Sequence, residues 1–249
     1  MNNTLKRAFS IVELLAKNPN MGLTEISTNL GLSKSTVHNI VTTLTTQGIL
    51  EKNHGTSRYH LGIKLIELGY IAQGDVAVRQ VAYPHLRRLN EELDETIHLT
   101  VLDNRQVLYI DCIESRKRLR TYSVIGVRAQ LHCTSVGKAI MAFLPPDEIN
   151  SIIDSIGFKK YTSNTITDKQ SLHKELERIR ETGYAIDNME HENGLRCVGA
   201  PIFGNHNEVF ASLSVSGPET RVTMEKVEEI APILLEATHD ISRKMGARL

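Results

Sequence analysis

The stretch Thr24–Leu50, TEISTNLGLSKSTVHNIVTTLTTQGIL, decides how this chain is read. Its second half places Val37, Ile40, Val41 and Leu44 at i, i+3, i+4 and i+7, one apolar stripe at helical period. The opposite face carries Lys34, Ser35, Thr36, His38, Asn39, Thr42 and Thr43. A helix face that only meets water is usually rich in Glu and Lys, which are good helix formers. Ser, Thr, Asn and His are poorer ones, yet their donors and acceptors match base edges and phosphates. That trade of propensity for hydrogen-bonding groups points to a helix that reads a DNA groove. In the first half, Ile26 and Leu30 make an apolar edge. Gly31 permits the positive φ that ends a helix cheaply, and Ser33 is a good N-cap for the next one. Helix, glycine turn, helix is the helix-turn-helix pattern. Its second helix enters the major groove N-terminus first, which puts Lys34, Ser35 and Thr36 nearest the bases. On these residues alone, the alternative is a helical hairpin with no ligand.

The flanks extend the reading. Gly48 ends the second helix, and Ile49–Lys52 and Arg58–Leu61 form two short strands around Asn53-His54-Gly55-Thr56-Ser57. A hairpin directly after a recognition helix is a wing, from which His54, Ser57 and Arg58 reach the sugar-phosphate backbone. Leu5, Ala8, Phe9, Val12, Leu15 and Ala16 give a third amphipathic helix that packs over both. Residues 1–60 hold six basic side chains against three acidic ones, while the whole chain is neutral. That excess is small for a nucleic-acid domain, so affinity is expected to come from a dimer reading two half-sites.

The 249 residues suffice for one large domain or two modest ones, and 23% charged residues is ordinary for a globular protein. There is no apolar run near 18 residues, which excludes a transmembrane helix, and Glu13 breaks the only stretch that resembles a leader. Cys112, Cys133 and Cys197 are odd in number and far apart, which fits a reducing cytoplasm and offers no disulfide framework. Gly62–Ala72 reads as a linker helix with Ile63, Ile66 and Tyr70 on one side, and Gln73-Gly74-Asp75 interrupts it. That apolar side calls for a partner, as in a dimer; the alternative is a core helix of one continuous domain.

The remainder reads as an α/β unit. Helices are expected over Val78–Glu95, out of the run His132–Lys138 through Phe143, over Leu172–Thr182 and over Thr223–Met245, the last kinked or restarted at Pro232. Strands are expected over Thr96–Leu102, Gln106–Ile113, Leu119–Ile125, Tyr184–Asp187, Leu195–Ile202 and Val209–Ser216, largely as antiparallel neighbours. Strand alternation puts Ser214 and Ser216 on one face, where two hydroxyls can hold one small polar ligand. The N–H groups of Ser135, Val136 and Gly137 open a helix and can bind an anion such as a carboxylate. Gly137-Lys138 lacks the upstream glycine and the following Ser/Thr of a phosphate loop, so a nucleotide site is rejected. His132-Cys133 has no positioned third group for a hydrolase, and His98, His132 and a cysteine lack metal-ligand spacing.

Several runs taken together resemble bacterial IclR-type regulators. They are Gly126-Val127-Arg128-Ala129-Gln130-Leu131-His132-Cys133-Thr134-Ser135-Val136-Gly137-Lys138-Ala139, Gly183-Tyr184-Ala185-Ile186-Asp187, Gly194-Leu195-Arg196-Cys197-Val198-Gly199-Ala200-Pro201 and Ser212-Leu213-Ser214-Val215-Ser216-Gly217-Pro218. With the winged N-terminal part, the resemblance covers the whole chain in order. It implies an α+β protein: a winged helix-turn-helix over residues 1–60, a linker helix over 61–77, and a GAF-like, oligomerising effector domain with an antiparallel sheet over 78–249. It implies a homodimer or dimer of dimers that binds double-stranded operator DNA and answers to a small molecule. The effector site it implies comprises the Ser135–Gly137 loop, Asp187, Cys197, Ser214 and Ser216. Read plainly, the same residues allow a turn cap at Asp187, a small core thiol at Cys197 and serines that satisfy backbone groups. The expected function is a repressor of a catabolic operon, released by a small carboxylate such as a sugar acid or keto acid. A ligand-dependent activator and a ligand-binding or hydrolytic protein without DNA are the alternatives. No cofactor, metal or catalytic residue is expected.

Overall fold

The structure, a computed structural model, describes residues 3–53, 55–74, 77–121, 125–155 and 157–248, with the backbone alone at 70 and 72–74. The chain divides into two compact units, Met1–Asp75 and Val76–Leu249.

The first unit holds α1 (Asn3–Lys17), α2 (Leu23–Leu30), α3 (Lys34–Thr46), β1 (Leu50–Asn53), β2 (Arg58–Leu61) and α4 (Lys64–Gly74). Gly31 ends α2 in the left-handed region at φ 62°, and the Ser33 hydroxyl accepts the Thr36 N–H to start α3. Val37, Ile40 and Val41 are buried with Ile11, Leu15, Ile26, Leu50 and Tyr59 in one small core. Each such side chain contributes roughly 1.5–3 kcal/mol of burial. The face of α1 differs from expectation. Ile11 and Leu15 are buried, whereas Leu5 and Phe9 stay 59% and 68% exposed. Apolar residues surround most of this helix, so period alone did not tell which side meets α3. The β1–β2 ladder runs from Leu50 opposite Leu61 to Asn53 opposite Arg58. Helix α4 begins at Lys64, not Gly62, because Gly62 packs its Cα against the Gly48 carbonyl where a Cβ would lie 2.1 Å away. It continues through Gly74, so Gln73-Gly74 does not interrupt it. Ile63 and Ile66 are each 72% exposed.

The second unit holds α5 (Ala77–Leu93), β3 (Thr96–Asp103), β4 (Gln106–Ile113), β5 (Arg128–Ala129), α6 (Ser135–Met141), α7 (Pro146–Ser155), α8 (Lys169–Thr182), β6 (Ala185–Asn188), β7 (Leu195–Phe203), β8 (Val209–Pro218) and α9 (Met224–Lys244). Its six strands are ordered β5-β4-β3-β8-β7-β6, with every neighbouring pair antiparallel. Asn104 and Arg105, at φ 50° and 62°, make the two-residue turn between β3 and β4. One sheet face presents Ile97, Leu99, Val198, Ala200, Leu213 and Val215 to α5 and α9. On the other, α6, α7 and α8 build a second apolar cluster with Val107 and Ala185.

Three expectations change here. The strand expected over Leu119–Ile125 is not formed at 119–121 or 125, and 122–124 lie outside the described residues. The strand beside β4 is the two-residue β5 further along, where Arg128 and Ala129 face Leu108 and Val107. Helix α9 does not restart at Pro232 but is one helix on both sides of it. Helix α7 is an addition: Pro145-Pro146 reads as a breaker, yet Pro146 opens the helix and Asp147 and Glu148 follow in its first turn, all suited to a helix start.

Candidate functional site

The polar face of α3 stands in water. Lys34, Ser35, His38, Asn39, Thr42 and Thr43 are exposed and Thr36 is half-buried, while Val37, Ile40 and Val41 behind them are buried and Leu44 partly so. The hydroxyls near the N-terminus are organised. Ser33 Oγ lies 3.0 Å from Ser35 Oγ and 2.8 Å from Thr36 Oγ1. The Thr43 hydroxyl donates to the Asn39 carbonyl at 3.0 Å, which leaves its lone pairs to accept. In the wing, Ser57 is exposed at the turn with φ 55°. Arg58 is half-exposed and paired with Glu25. His54 lies outside the described residues.

In the second unit a cavity of about 180 Å³ lies against the sheet. It is small beside the roughly 300–1,000 Å³ of drug-sized sites. The lining follows from register. Asp187 faces Cys197 across β6–β7, Cys197 faces Ser216 across β7–β8, and Ser214 faces His98 across β8–β3. Strand alternation holds all of these on one face. Each lines the cavity, with Tyr109, Thr134 and Ser135. The His98 Nδ1 is 3.4 Å from the Ser214 hydroxyl and 3.2 Å from that of Ser216. The Tyr109 ring packs edge-on against the His98 ring at 5.2 Å between centroids. Helix α6 comes this close because β7 has glycine at position 199, where a Cβ would sit 2.6 Å from the Ser135 carbonyl carbon.

Five of the seven residues expected at the effector site thus meet at this cavity: Ser135, Asp187, Cys197, Ser214 and Ser216. Val136 and Gly137 do not line it. The Gly137 N–H donates to the Thr134 hydroxyl at 3.1 Å, since Thr134 is the N-cap of α6, and is not free for an anion. The Val136 side chain is buried in the apolar cluster under α6. The sequence reading missed Tyr109 and Thr134 and assigned His98 no ligand role. The signal for His98 and Tyr109 was the same two-residue alternation that marked the serines.

Burial sets the electrostatics. Desolvation, and then the neighbouring Glu190 carboxylate, push the Asp187 carboxyl up to about 7. Its Oδ1 accepts the N–H of Glu190 at 2.7 Å and more weakly that of His191 at 3.4 Å, so the side chain does cap a turn. Burial drives His98 down to about 4, keeping the imidazole neutral. It also raises the Cys197 thiol, with Asp187 adding to the effect. Behind the wall, Lys138 is fully buried and bonded to the Glu190 carboxylate, to the Ile186 carbonyl at 2.6 Å and to Glu175 at 3.2 Å. This lysine serves an internal ion network. Arg128 lines the cavity but binds the Asp103 carboxylate and, at 3.0 Å, the Asp103 carbonyl. The cavity therefore offers hydroxyls, a neutral imidazole and a titrating carboxyl. Beside it, burial pushes the Cys133 thiol up to about 12, and the His132 Nε2 lies 3.3 Å from the Lys159 carbonyl. That shift disfavours the thiolate a nucleophile needs. Among the described residues no cluster of three or more His, Cys, Asp or Glu side chains can hold a metal ion, and no helix is long and apolar enough to cross a membrane.

Residues 4–54 match the IclR helix-turn-helix domain, and residues 71–243 match the C-terminal domain described as that of the bacterial transcriptional regulator IclR. The chain belongs to the IclR family. As a member it is a DNA-binding transcriptional regulator with an effector-binding domain. Among its relatives, the HTH-type transcriptional regulator KdgR of Escherichia coli (strain K12) is 36% identical over 98% of this chain and 93% of its own length. The IclR crystal structure from Thermotoga maritima is 36% identical, covers 98% of this chain and 99% of its own, and superposes with a TM-score of 0.81. An IclR homologue from Microbacterium hydrocarbonoxydans, solved in complex with 4-hydroxybenzoate, is 25% identical over 99% of this chain and all of its own, with a TM-score of 0.85.

Proposed function

We propose that this IclR-family member is a cytoplasmic repressor, without enzymatic activity, that leaves its operator when a small carboxylate occupies the cavity against the sheet. The observation that carries the ligand half is the row Asp187, Cys197, Ser216, Ser214 and His98, which brings hydrogen-bonding groups from four strands to one small cavity. The homologue solved with 4-hydroxybenzoate supports a carboxylate as the ligand class. A sugar acid or keto acid suits the several hydroxyls of the lining.

On the DNA side, Lys34, Ser35, Thr36, His38, Asn39, Thr42 and Thr43 of α3 meet base edges and phosphates in the major groove. Ser57 and His54 follow the backbone from the wing. Residues 1–60 act as the reading domain, 61–77 as the linker and 78–249 as the effector domain. The exposed Ile63 and Ile66 supply a contact between copies, so the working form is a homodimer or a dimer of dimers. Effector acts by binding one arrangement of the paired reading domains more tightly than another. Repression is inferred because a bound dimer excludes polymerase by overlap alone, whereas activation needs a further surface.

A gel-shift series tests this, using DNA upstream of the chain's own gene and a panel containing 4-hydroxybenzoate, D-gluconate and pyruvate. The expected result is a salt-sensitive shifted band that one acid abolishes. A band strengthened by an acid reverses the sign of regulation. Indifference to the whole panel removes the carboxylate.

A further inference from the structure

Arg58 opens β2 with its guanidinium turned back onto the helix-turn-helix. Nη1 donates to Oε2 of Glu25 and Nη2 to Oε1, both at 3.0 Å, the parallel fork that makes arginine–carboxylate pairs directional. Nη1 also donates to the Asn20 carbonyl at 2.5 Å. Glu25 is itself fixed, because its Oε2 accepts the Gly22 N–H at 2.7 Å at the start of α2. Beside this fork, Met21 and Tyr59 exchange both backbone hydrogen bonds, at 3.2 and 2.9 Å. The Tyr59 side chain is buried in the same core as Val37, Ile40 and Val41 of α3. Ring, backbone bridge and ionic fork therefore lie along one seam between the wing and the helix-turn-helix. For Arg58 to hold a DNA phosphate by the same fork, it would have to release Glu25 and leave that carboxylate close to the phosphate, a repulsive arrangement.

We propose that Arg58 is a positioning residue for DNA binding: clasped by Glu25, it sets the angle of the wing beside α3 and holds no phosphate itself. The proposal rests on the assignment of α3 and the wing as the DNA-reading surface. The wing's own reach to the backbone then falls to Ser57, in the turn at its tip, and to Lys52, one pair behind Arg58 in the ladder, both exposed.

The test is fluorescence anisotropy of a mixed-sequence 30-base-pair duplex across a salt series, with the full chain and its variants Glu25→Gln, Arg58→Gln, Arg58→Lys and the Glu25→Gln/Arg58→Gln pair. A melting curve for each variant establishes folding. Each single variant is expected to bind about three- to fivefold more weakly, in keeping with an exposed ion pair, with the salt slope unchanged. The double variant should be no weaker than the worse single one. Arg58→Lys should fail like Arg58→Gln, because lysine keeps the charge and loses the fork. The proposal is overturned if Arg58→Gln lowers the salt slope by about 1 while Glu25→Gln binds as well as or better than the parent, the signature of a phosphate contact. Unchanged affinity in all variants also overturns it. A parent chain with no salt-sensitive binding would instead remove the DNA-reading assignment, a distinct failure.

Discussion

The face of α3 and the wall of the cavity are built from nearly the same residue types, and they behave in opposite ways. Ser, Thr, Asn and His on α3 stand in water, and their placement costs the fold only helix propensity, a few tenths of a kcal/mol each. Ser, Cys, Asp and His along the sheet are almost fully buried: His98, Asp187, Ser214 and Ser216 are 2–4% exposed. There each group needs a partner, and the titrating ones leave their ordinary pKa values. A long charged ligand can be read by groups that stay hydrated until it arrives. A small ligand has few contacts, so its site must be dry and preset. Substitutions on α3 should therefore change binding and leave stability alone, whereas substitutions in the wall should change stability and its pH dependence even without ligand.

The largest effect belongs to Asp187. Its folded pKa of about 7 lies above the unfolded value of 3.8. Its favourable contribution is thus complete below about pH 4 and is lost as pH rises through 7. Asp187→Asn keeps an acceptor for the two N–H groups and has no charge. Urea unfolding should find this variant more stable than the parent by up to about 4 kcal/mol at pH 8, with the gap closing towards pH 4. A gap constant over that range would remove the distinction between the two surfaces.

His98 gives the next largest effect and the opposite slope. Its folded pKa of about 4 lies below the unfolded 6.5, so the folded chain holds it neutral and loses stability as pH falls from about 6.5 towards 4. The amount is up to about 3 kcal/mol. In the parent the two slopes oppose each other. In Asp187→Asn the acid sensitivity of His98 should be uncovered, and in His98→Asn stability should rise on acidification. Thermal unfolding of both variants between pH 4 and 8 reads this directly.

The smallest stability effects are expected on α3, alongside large binding effects. Asn39→Ala should cost about 1–3 kcal/mol of affinity at the operator and relax the sequence preference there. Lys34→Ala should weaken binding to all sequences alike and lower the salt slope by about 1. Urea midpoints for both should correspond to changes within about 0.5 kcal/mol of the parent. A larger loss of stability would mean that these side chains serve the fold rather than DNA.

How far each region was legible from sequence follows the same division. The cap at Ser33, the left-handed Gly31 and the stripe Val37, Ile40, Val41 are local signals, complete within a few turns of chain, and all are present as expected. Strand alternation likewise assigned Ser214 and Ser216 to one side. The failures lie where local pattern is silent. Helix α1 is apolar on too many sides to choose one, and the two-residue β5 is too short to leave a period. The Thr134 hydroxyl takes the Gly137 N–H, a contact that the position at a helix start does not by itself reveal.

By itself, then, the order of residues determined the helix-turn-helix, the wing strands and the alternation of the sheet, because caps, turns and side-chain periods act over neighbouring positions. Tertiary structure decided which strands lie side by side. Only pairing between segments some 110 to 120 positions apart sets His98 against Ser214 and Ser216. The packing of α6 onto Gly199 brings Ser135 against them, and the 127–129 and 191–195 segments complete the wall. The shifted Asp187 and His98 follow from that closure, since desolvation belongs to a place in the fold and not to a residue type.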